Sequence, residues 1–305
     1  MIVDAATERG ANMPTRKELV VLTAFGSTLD TALLCAVQPD EWSDQERHRT
    51  ILLRPSTKSV ELVEVLARPI HDSWLSTNGT AYCPTDGGEL LRYSNASWNT
   101  EVICNREEEF GAITGFSGDR TVDDTVIVCG ATSMFVRRKG QWKEHSLPDD
   151  IGEINGIHGL VSDEVYLCTD AGLFLWNGKK FDSVEGPEDD EILNVRVRSE
   201  TDLVAVGDEV HIWTEKKGWR QLKSPLEDLA VGLCQAGDDV FIPSLEGILH
   251  LMGDKLKKVS AFGSNALFSI GSCIVAAGAD GGVNIGDGTK WSRIPLPKLA
   301  PKEKL

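Results

Sequence analysis

Short apolar runs alternate with turn signals across residues 156–186, and this pattern predicts four consecutive β-strands. The runs are Ile157–Leu160, Val165–Cys168, Leu173–Trp176 and Phe181–Val184. Runs rich in Val, Phe, Tyr and Trp that are separated by Gly, Asn and Asp are typical of strands joined by tight turns. Asn177-Gly178 is the strongest turn signal and predicts a type I′ turn, which needs positive φ at both central residues. One such meander cannot bury both of its own faces, so further copies should pack beside it.

The same four-stranded unit recurs with a period of about 40 residues, which is the length of one propeller blade. The residue that opens the fourth strand is apolar or aromatic in every copy: Val60, Trp98, Trp142, Phe181, Trp219, Leu256 and Trp291. The second strand recurs as TALLC, GTAYC, TVIVC, EVYLC, DLVAV, DVFIP and SCIVA. The chain is therefore predicted to be all-β, a single seven-bladed β-propeller with four antiparallel strands per blade. The predicted limits are an N-terminal arm over 1–16, the propeller over 17–297 and a tail over 298–305.

The repeat also resembles a known type of sequence. The segment INGIHGLVSDEVYLCTDAGLFLWNGKKF is similar to a degenerate repeat common in bacterial β-propellers, and more distantly to the BNR/Asp-box and Ycf48-like propellers. The segment from Gly286 to Trp291 comes nearest to an Asp-box but lacks its Ser. The matching positions are scaffold positions, so the resemblance implies a fold and no particular activity.

Charge narrows the choice of partners. The 305 residues include 31 Lys and Arg against 47 Asp and Glu, a net charge of −16. Nucleic acids and anionic membranes both need cationic surfaces, so neither is expected as a partner. A basic protein partner is compatible with this charge, although solubility alone would also explain it. We expect a monomer before the partner binds.

Cysteine usage and the N-terminal sequence predict a cytoplasmic protein. Cys35, Cys83, Cys129 and Cys168 occupy the same place in successive second strands, too far apart for disulfide bonds, and are expected to be buried free thiols. The N-terminus has no apolar segment of signal-peptide type, and no apolar run is long enough to span a membrane. No Cys/His cluster has zinc-site spacing, so no metal and no cofactor is expected.

The predicted innermost strands carry few polar residues, which disfavours catalysis in the central channel. The candidates are His71, Asp72, His158, Arg196 and Arg198. Asp72 with His71 or His158 can form an acid–base pair, but a hydrogen-bonded channel lining explains the same residues. Arg196 and Arg198 share a face of one strand, and pairing with acids on adjacent blades explains them better than a substrate clamp. No catalytic residue is assigned, because no nucleophile, metal or phosphate motif is present.

Charged residues segregate by the type of turn that carries them. Links between blades and turns between second and third strands must lie at one end of the propeller, because the strands alternate in direction. These segments are acidic, whereas the turns between third and fourth strands are rich in lysine. An insertion between the second and third strands of blade 1 carries a tryptophan among acids. The predicted partner-binding residues are Trp42, Asp44, Glu107, Glu108, Asp149, Asp150, Asp170, Glu188, Asp189, Asp190 and Asp208.

Two classes of function follow from these patterns. The favoured class is a non-catalytic protein-binding propeller that engages a basic protein through an acidic face, for example an immunity or inhibitor protein or an assembly factor. The alternative is a propeller hydrolase or lyase that acts on a sugar or lactone at the channel mouth. The thin polar content of the innermost strands favours the first class.

Overall fold

The computed structural model of the chain describes residues 19–37, 49–118, 123–187, 191–228, 232–278 and 282–297. Seven four-stranded antiparallel sheets fill these ranges, and each sheet consists of four strands that are consecutive in the chain. The first strands of neighbouring sheets contact one another, as in the pairs β13·β17, β9·β13 and β1·β25, so they surround the axis. This arrangement confirms the predicted seven-bladed β-propeller.

The first four blades have these strands. Blade 1 contains β1 (Val20–Phe25), β2 (Leu33–Val37), β3 (Thr50–Pro55) and β4 (Val60–Leu66). Blade 2 contains β5 (Trp74–Leu75), β6 (Ala81–Thr85), β7 (Glu89–Ser94) and β8 (Ser97–Val102). Blade 3 contains β9 (Phe110–Phe116), β10 (Thr125–Gly130), β11 (Ser133–Arg138) and β12 (Gln141–Ser146). Blade 4 contains β13 (Ile154–Val161), β14 (Glu164–Thr169), β15 (Gly172–Trp176) and β16 (Phe181–Val184).

The remaining three blades follow the same plan. Blade 5 contains β17 (Ile192–Ser199), β18 (Asp202–Gly207), β19 (Val210–Thr214) and β20 (Gly218–Leu222). Blade 6 contains β21 (Cys234–Ala236), β22 (Asp239–Ser244), β23 (Gly247–Met252) and β24 (Lys255–Lys258). Blade 7 contains β25 (Ala266–Ile270), β26 (Cys273–Ala277), β27 (Gly282–Gly286) and β28 (Trp291–Pro295). A short 3₁₀ helix, Leu29–Thr31, joins β1 to β2. No helix within the described ranges is long and apolar enough to cross a membrane.

Each pair of adjacent blades shares its own hydrophobic cluster, so the core is divided into layers between the sheets. The cluster between blades 7 and 1 includes Leu34 and Leu53 from blade 1 and Val275 and Val283 from blade 7, all fully buried. Strands β1 to β4 form one sheet, and strands β25 to β28 form another. Among the described residues, the ring therefore closes by apolar packing between blades 7 and 1, and no strand is exchanged between them.

The tryptophans that open fourth strands connect neighbouring blades. Trp142 on β12 donates its indole N–H to Glu101 Oε1 on blade 2 at 2.8 Å. Trp219 on β20 donates to the carbonyl oxygen of Glu185, just after blade 4, at 2.7 Å. Both side chains are half-buried. Each tryptophan therefore fastens the outer edge of its blade to the preceding blade.

Two local predictions need correction. The turn at Asn177-Gly178 is a four-residue loop in which only Gly178 has positive φ (84°), because the Asn177 side chain accepts the N–H groups of Lys179 and Lys180. Two-residue turns with positive φ at both positions occur instead at Asn95-Ala96 and Lys139-Gly140.

The innermost strand of blade 2 is also shorter than predicted and is confined to Trp74–Leu75. The carboxylate of Asp72 accepts the N–H groups of Ser73 and Ile113, at 2.8 and 3.1 Å. The side chain of Asp72 thus connects the link before β5 to β9 of the next blade.

Candidate functional site

The two ends of the propeller carry different types of connection. We call the end with the interblade links and the turns between second and third strands the link face. The opposite end carries the turns between first and second and between third and fourth strands, and we call it the hairpin face. The strand order places every connection of one type at the same end.

Most of the predicted partner-binding residues that the structure describes lie exposed on the link face. These are Glu107, Asp149, Asp150, Asp170 and Asp208. They come from the links after blades 2 and 3 and from the second-to-third turns of blades 4 and 5. The carboxylate of Asp170 also joins its turn to the start of blade 4, since it accepts the backbone N–H of Glu153 and the side-chain amide of Asn155, both at 3.2 Å.

Glu108 differs from the other predicted residues because it is buried. Its side chain is 9% exposed, and Oε2 accepts Arg106 Nε at 2.9 Å. Arg106 also donates to Ser133 and to both carboxylate oxygens of Glu144. The charge of Glu108 is neutralised inside the protein, so a partner cannot reach it and it leaves the partner-binding set.

Five predicted residues lie outside the described residues: Trp42, Asp44, Glu188, Asp189 and Asp190. The insertion that contains the first two connects β2, which ends at Val37, to β3, which begins at Thr50. The other three belong to the link between blades 4 and 5. Their roles in binding remain predictions.

Further carboxylates of the link face were not assigned to the site from the sequence. They are Asp86, Glu109, Glu153, Glu185, Glu191, Glu209, Glu227, Asp228 and Glu246. The cations in the described parts of the same segments are Arg49, Arg68, Arg106 and Lys223. Glu227 and Asp228 lie in the link SPLED (224–228), which the sequence placed on the acidic face, but a sequence does not show which links border a cavity.

The hairpin face is mixed rather than basic throughout. Its outer turns carry mainly lysines, at Lys58, Lys139, Lys179, Lys180, Lys216, Lys217 and Lys290, together with the carboxylates Glu215, Asp254 and Asp287. Carboxylates occupy its inner turns, at Asp30, Asp123, Asp163, Glu200 and Asp238. Arg137 does not belong to the exposed rim, because it is 6% exposed and donates from Nε to Glu101 Oε1 at 2.8 Å.

The polar residues of the channel are engaged mainly with the backbone. Both carboxylate oxygens of Asp72 accept amide N–H groups, and burial raises the pKa of Asp72 to about 6. His158 Nδ1 accepts the N–H of Val197 at 3.1 Å, and burial together with the Arg196 charge lowers the pKa of His158 to about 3. These contacts hold a neutral imidazole in a fixed tautomer with its remaining proton on Nε2.

The two arginines have different environments. Arg196 is buried, and its Nη2 lies 3.5 Å from the carbonyl oxygen of Leu233. Burial lowers the pKa of Arg196, and electrostatic interactions with Cys234 and Asp72 oppose this shift. Arg198 pairs at 2.7 Å with Asp202 on the neighbouring strand of its own blade, not with an adjacent blade as predicted. His71 is half-buried in the link before β5. The arrangement is that of a hydrogen-bonded channel lining.

Within the described ranges, no group of three or more His, Cys, Asp or Glu residues is placed to hold a metal ion. All seven cysteines are free thiols.

Two cavities open between neighbouring blades near the link face. The blade 2/3 cavity has a volume of about 450 Å³ and is lined by Ile103, Cys104, Asn105, Arg106, Phe135, Trp142 and Glu144. The blade 5/6 cavity has a volume of about 310 Å³ and is lined by Asp208, Glu209, Val210, Ser224, Leu226, Glu227, Asp228, Ser244 and Leu249. The first contains the chain's own Arg106, whose side chain is 42% exposed, whereas the second is bordered by carboxylates.

Comparison with known proteins defines the class of fold. No protein-family model and no curated protein matches the sequence. Among solved structures, the chain is similar to the WD40 repeats of RRP9 (TM-score 0.63, 12% identity, covering 87% of this chain and 92% of that one). It is also similar to the WD40 β-propeller domain of Doa1 (TM-score 0.62, 10% identity, 92% and 96%) and to YCF48 bound to D1 peptide (TM-score 0.53, 14% identity, 70% and 77%).

These similarities, at such low identities, establish the fold alone. The chain is a propeller repeat protein whose architecture is that of the WD40 and YCF48 propellers. The resemblance to the bacterial propeller repeat and the more distant resemblance to BNR/Asp-box propellers stay predictions.

Proposed function

We propose that this chain is a non-catalytic protein-binding β-propeller that engages a basic protein partner through its link face. The observation that carries the proposal is the clustering of exposed carboxylates on the links and second-to-third turns, with few cations among them. Charge of one sign on one face raises the rate at which an oppositely charged protein associates. An inhibitor that caps a basic protein, or an assembly factor that escorts one, would use such a surface.

A propeller of similar fold supports a role in protein recognition. YCF48 has been solved with D1 peptide bound. That likeness concerns the fold, so the choice of a basic partner depends on the charges of this chain. The contacts in the channel do not favour the alternative of a propeller hydrolase or lyase. Both carboxylate oxygens of Asp72 and Nδ1 of His158 already accept hydrogen bonds from backbone amides.

The direct test reverses charge on one face at a time. Asp149→Lys with Asp150→Lys changes two exposed residues of the link face. The matched control, Glu200→Lys with Asp238→Lys, makes the same change in net charge at exposed residues of the hairpin face. Association of each form with a partner isolated by co-purification is measured by biolayer interferometry.

The link-face pair should slow association by roughly tenfold at low salt, and the control pair should have little effect. The difference should shrink at 0.15 M ionic strength, where the Debye length is about 8 Å. Equal slowing by both pairs would mean that net charge alone matters, and slowing by the control pair alone would assign binding to the other face.

A further inference from the structure

The blade 5/6 cavity has an apolar floor and a carboxylate rim. Val210 and Leu249 are buried, with 1% and 2% of their surface exposed, and Leu226 is half-buried beside them. Asp208 and Asp228 lie at the rim, and none of the described residues that line the cavity is a cation. A long basic side chain complements such a cavity, since its methylene stem is apolar and its end is positively charged.

One carboxylate of the rim is held in a fixed orientation. The Ser244 hydroxyl donates to Asp228 Oδ1, and the backbone N–H of Glu246 donates to Oδ2 at 2.9 Å. Ser244 is itself 1% exposed, so this support is part of the core. A side chain that is already ordered loses little entropy when it accepts another donor.

The blade 2/3 cavity shows how this scaffold accommodates a guanidinium group. Arg106 lies with its guanidinium carbon 5.3 Å from the centre of the Phe135 ring. It donates to Glu108 from Nε, and its two terminal nitrogens donate to the oxygens of Glu144 at 2.8 and 3.2 Å. A planar guanidinium group is well suited to stack on an aromatic ring and to donate two hydrogen bonds to one carboxylate.

The floors of the two cavities are equivalent positions of the repeat. Phe135 on β11 pairs with Val128, and Leu249 on β23 pairs with Ile242. Val128 and Ile242 are each the fourth residue of their second strand. Leu249 therefore occupies in blade 6 the place that Phe135 occupies in blade 3.

The acids that precede these blades are equivalent too. Thr114 on β9 and Cys234 on β21 each pair with the third residue of the second strand of their own blade. Glu108 lies six residues before Thr114, and Asp228 lies six residues before Cys234. Asp228 is therefore the counterpart of Glu108.

We infer that the blade 5/6 cavity takes an arginine side chain of the partner. By the same spacing, Leu226 occupies the position equivalent to Arg106. The blade 5/6 cavity therefore has the equivalent acid, Asp228, and the equivalent floor residue, Leu249, but none of its described lining residues supplies a guanidinium group. Lys258 replaces Glu144 opposite the floor residue, so the carboxylates for the ligand come from the rim, at Asp208, Glu227 and Asp228. The inference rests on the proposed function and specifies which residue of the partner the link face recognises.

A peptide titration tests the cavity directly. The probes are acetyl-Gly-Arg-Gly-amide and the same peptide with citrulline, which keeps the shape of arginine without its charge. Methyl NMR signals of Val210 and Leu249 should shift saturably with the arginine peptide, and the citrulline peptide should bind at least tenfold more weakly. Equal shifts with both peptides, or no shift with either, would overturn the inference.

Leu226→Arg supplies the matched variant, because it should place the chain's own guanidinium in the cavity as Arg106 does in blade 3. Binding of the arginine peptide should then weaken at least tenfold. If that variant fails to fold, as judged from its methyl spectrum, Asp228→Asn should produce the same loss. Parental binding by the folded variant would refute the proposed site.

The same variant separates this inference from the proposed function. If Leu226→Arg binds the isolated partner as the parent does while Asp149→Lys with Asp150→Lys slows association, the link face binds the partner but the arginine site is refuted. If no substitution on the link face alters binding of the partner, the proposed function is refuted. The peptide titration alone then decides whether the blade 5/6 cavity binds arginine.

Discussion

Two residues of the channel shift their proton affinities in opposite directions. Burial raises the pKa of Asp72 from its ordinary 3.8 to about 6, so the folded chain holds this proton where the unfolded chain has released it. Burial and the Arg196 charge lower the pKa of His158 from 6.5 to about 3, so the folded chain lacks a proton that the unfolded chain binds. Between about pH 4 and 6 the pH dependences of the two contributions to stability therefore have opposite signs.

Single substitutions should separate these contributions. The contribution of Asp72 is present below its unfolded pKa and is lost as pH rises through about 6. The free energy of unfolding of Asp72→Asn, relative to the parent, should therefore rise between pH 4 and 6, by at most about 1.4 kcal/mol per pH unit for one proton. His158→Asn should show the opposite trend, because the contribution of His158 is present above its unfolded pKa and is lost as pH falls toward about 3. Urea unfolding at several pH values measures both, and parallel trends in the two variants would contradict this assignment.

The cysteines should divide into two reactivity classes. Cys35, Cys83, Cys129, Cys168 and Cys234 are buried, and burial raises the pKa of Cys129 and of Cys234 to about 12. Cys104 and Cys273 are partly exposed. A thiol reagent should label the two exposed cysteines in the native protein and the other five only after unfolding, because a buried thiol is neither accessible nor ionised. Mass spectrometry identifies the labelled positions, and rapid native labelling of Cys129 or Cys168 would contradict their place in second strands.

At the level of single elements, the tryptophans of third and fourth strands have different tasks. Trp176 on β15 is 2% exposed in the cluster between blades 3 and 4. Trp142 on β12 is half-buried and hydrogen-bonds to blade 2. The first fills a layer between blades, and the second fastens an outer edge.

Alanine substitution should reflect this difference. Trp176→Ala should lower the free energy of unfolding by roughly 3–5 kcal/mol, as expected for a buried tryptophan. Trp142→Ala should cost less, about 1–3 kcal/mol, because much of its surface is already in water and one hydrogen bond is lost. Chemical denaturation measures both values. A larger loss in Trp142→Ala would mean that the blades are held mainly at their outer edges.

The strand pattern was predictable because each blade repeats the same local requirements for apolar faces and tight turns. The predicted second strands and fourth-strand openings coincide with strands of the structure, as at β10 and β12. The hydrogen bond that the Ile113 N–H donates to Asp72 was not predictable, since it forms only once two blades have packed together. The burial of Glu108 depends likewise on Arg106 folding back over blade 3.

In the whole molecule, the propeller fold separates the links and turns of the chain between the link face and the hairpin face. Neighbouring links are far apart in the chain, yet closure by packing of blade 7 on blade 1 places them around one axis. Modest acidic segments thereby combine into one surface, and the blade 5/6 cavity opens beside them. The proposed function depends on this combination, because it brings carboxylates from separate links and turns onto one face.

Site-specific photocrosslinking can show which face of the propeller contacts the partner. A benzophenone amino acid replaces Asp150 on the link face in one form and Glu200 on the hairpin face in another, and both positions are exposed. After irradiation with the partner, the link-face form should yield the crosslinked complex and the hairpin-face form should yield little. A crosslink from the hairpin-face form alone would contradict the account.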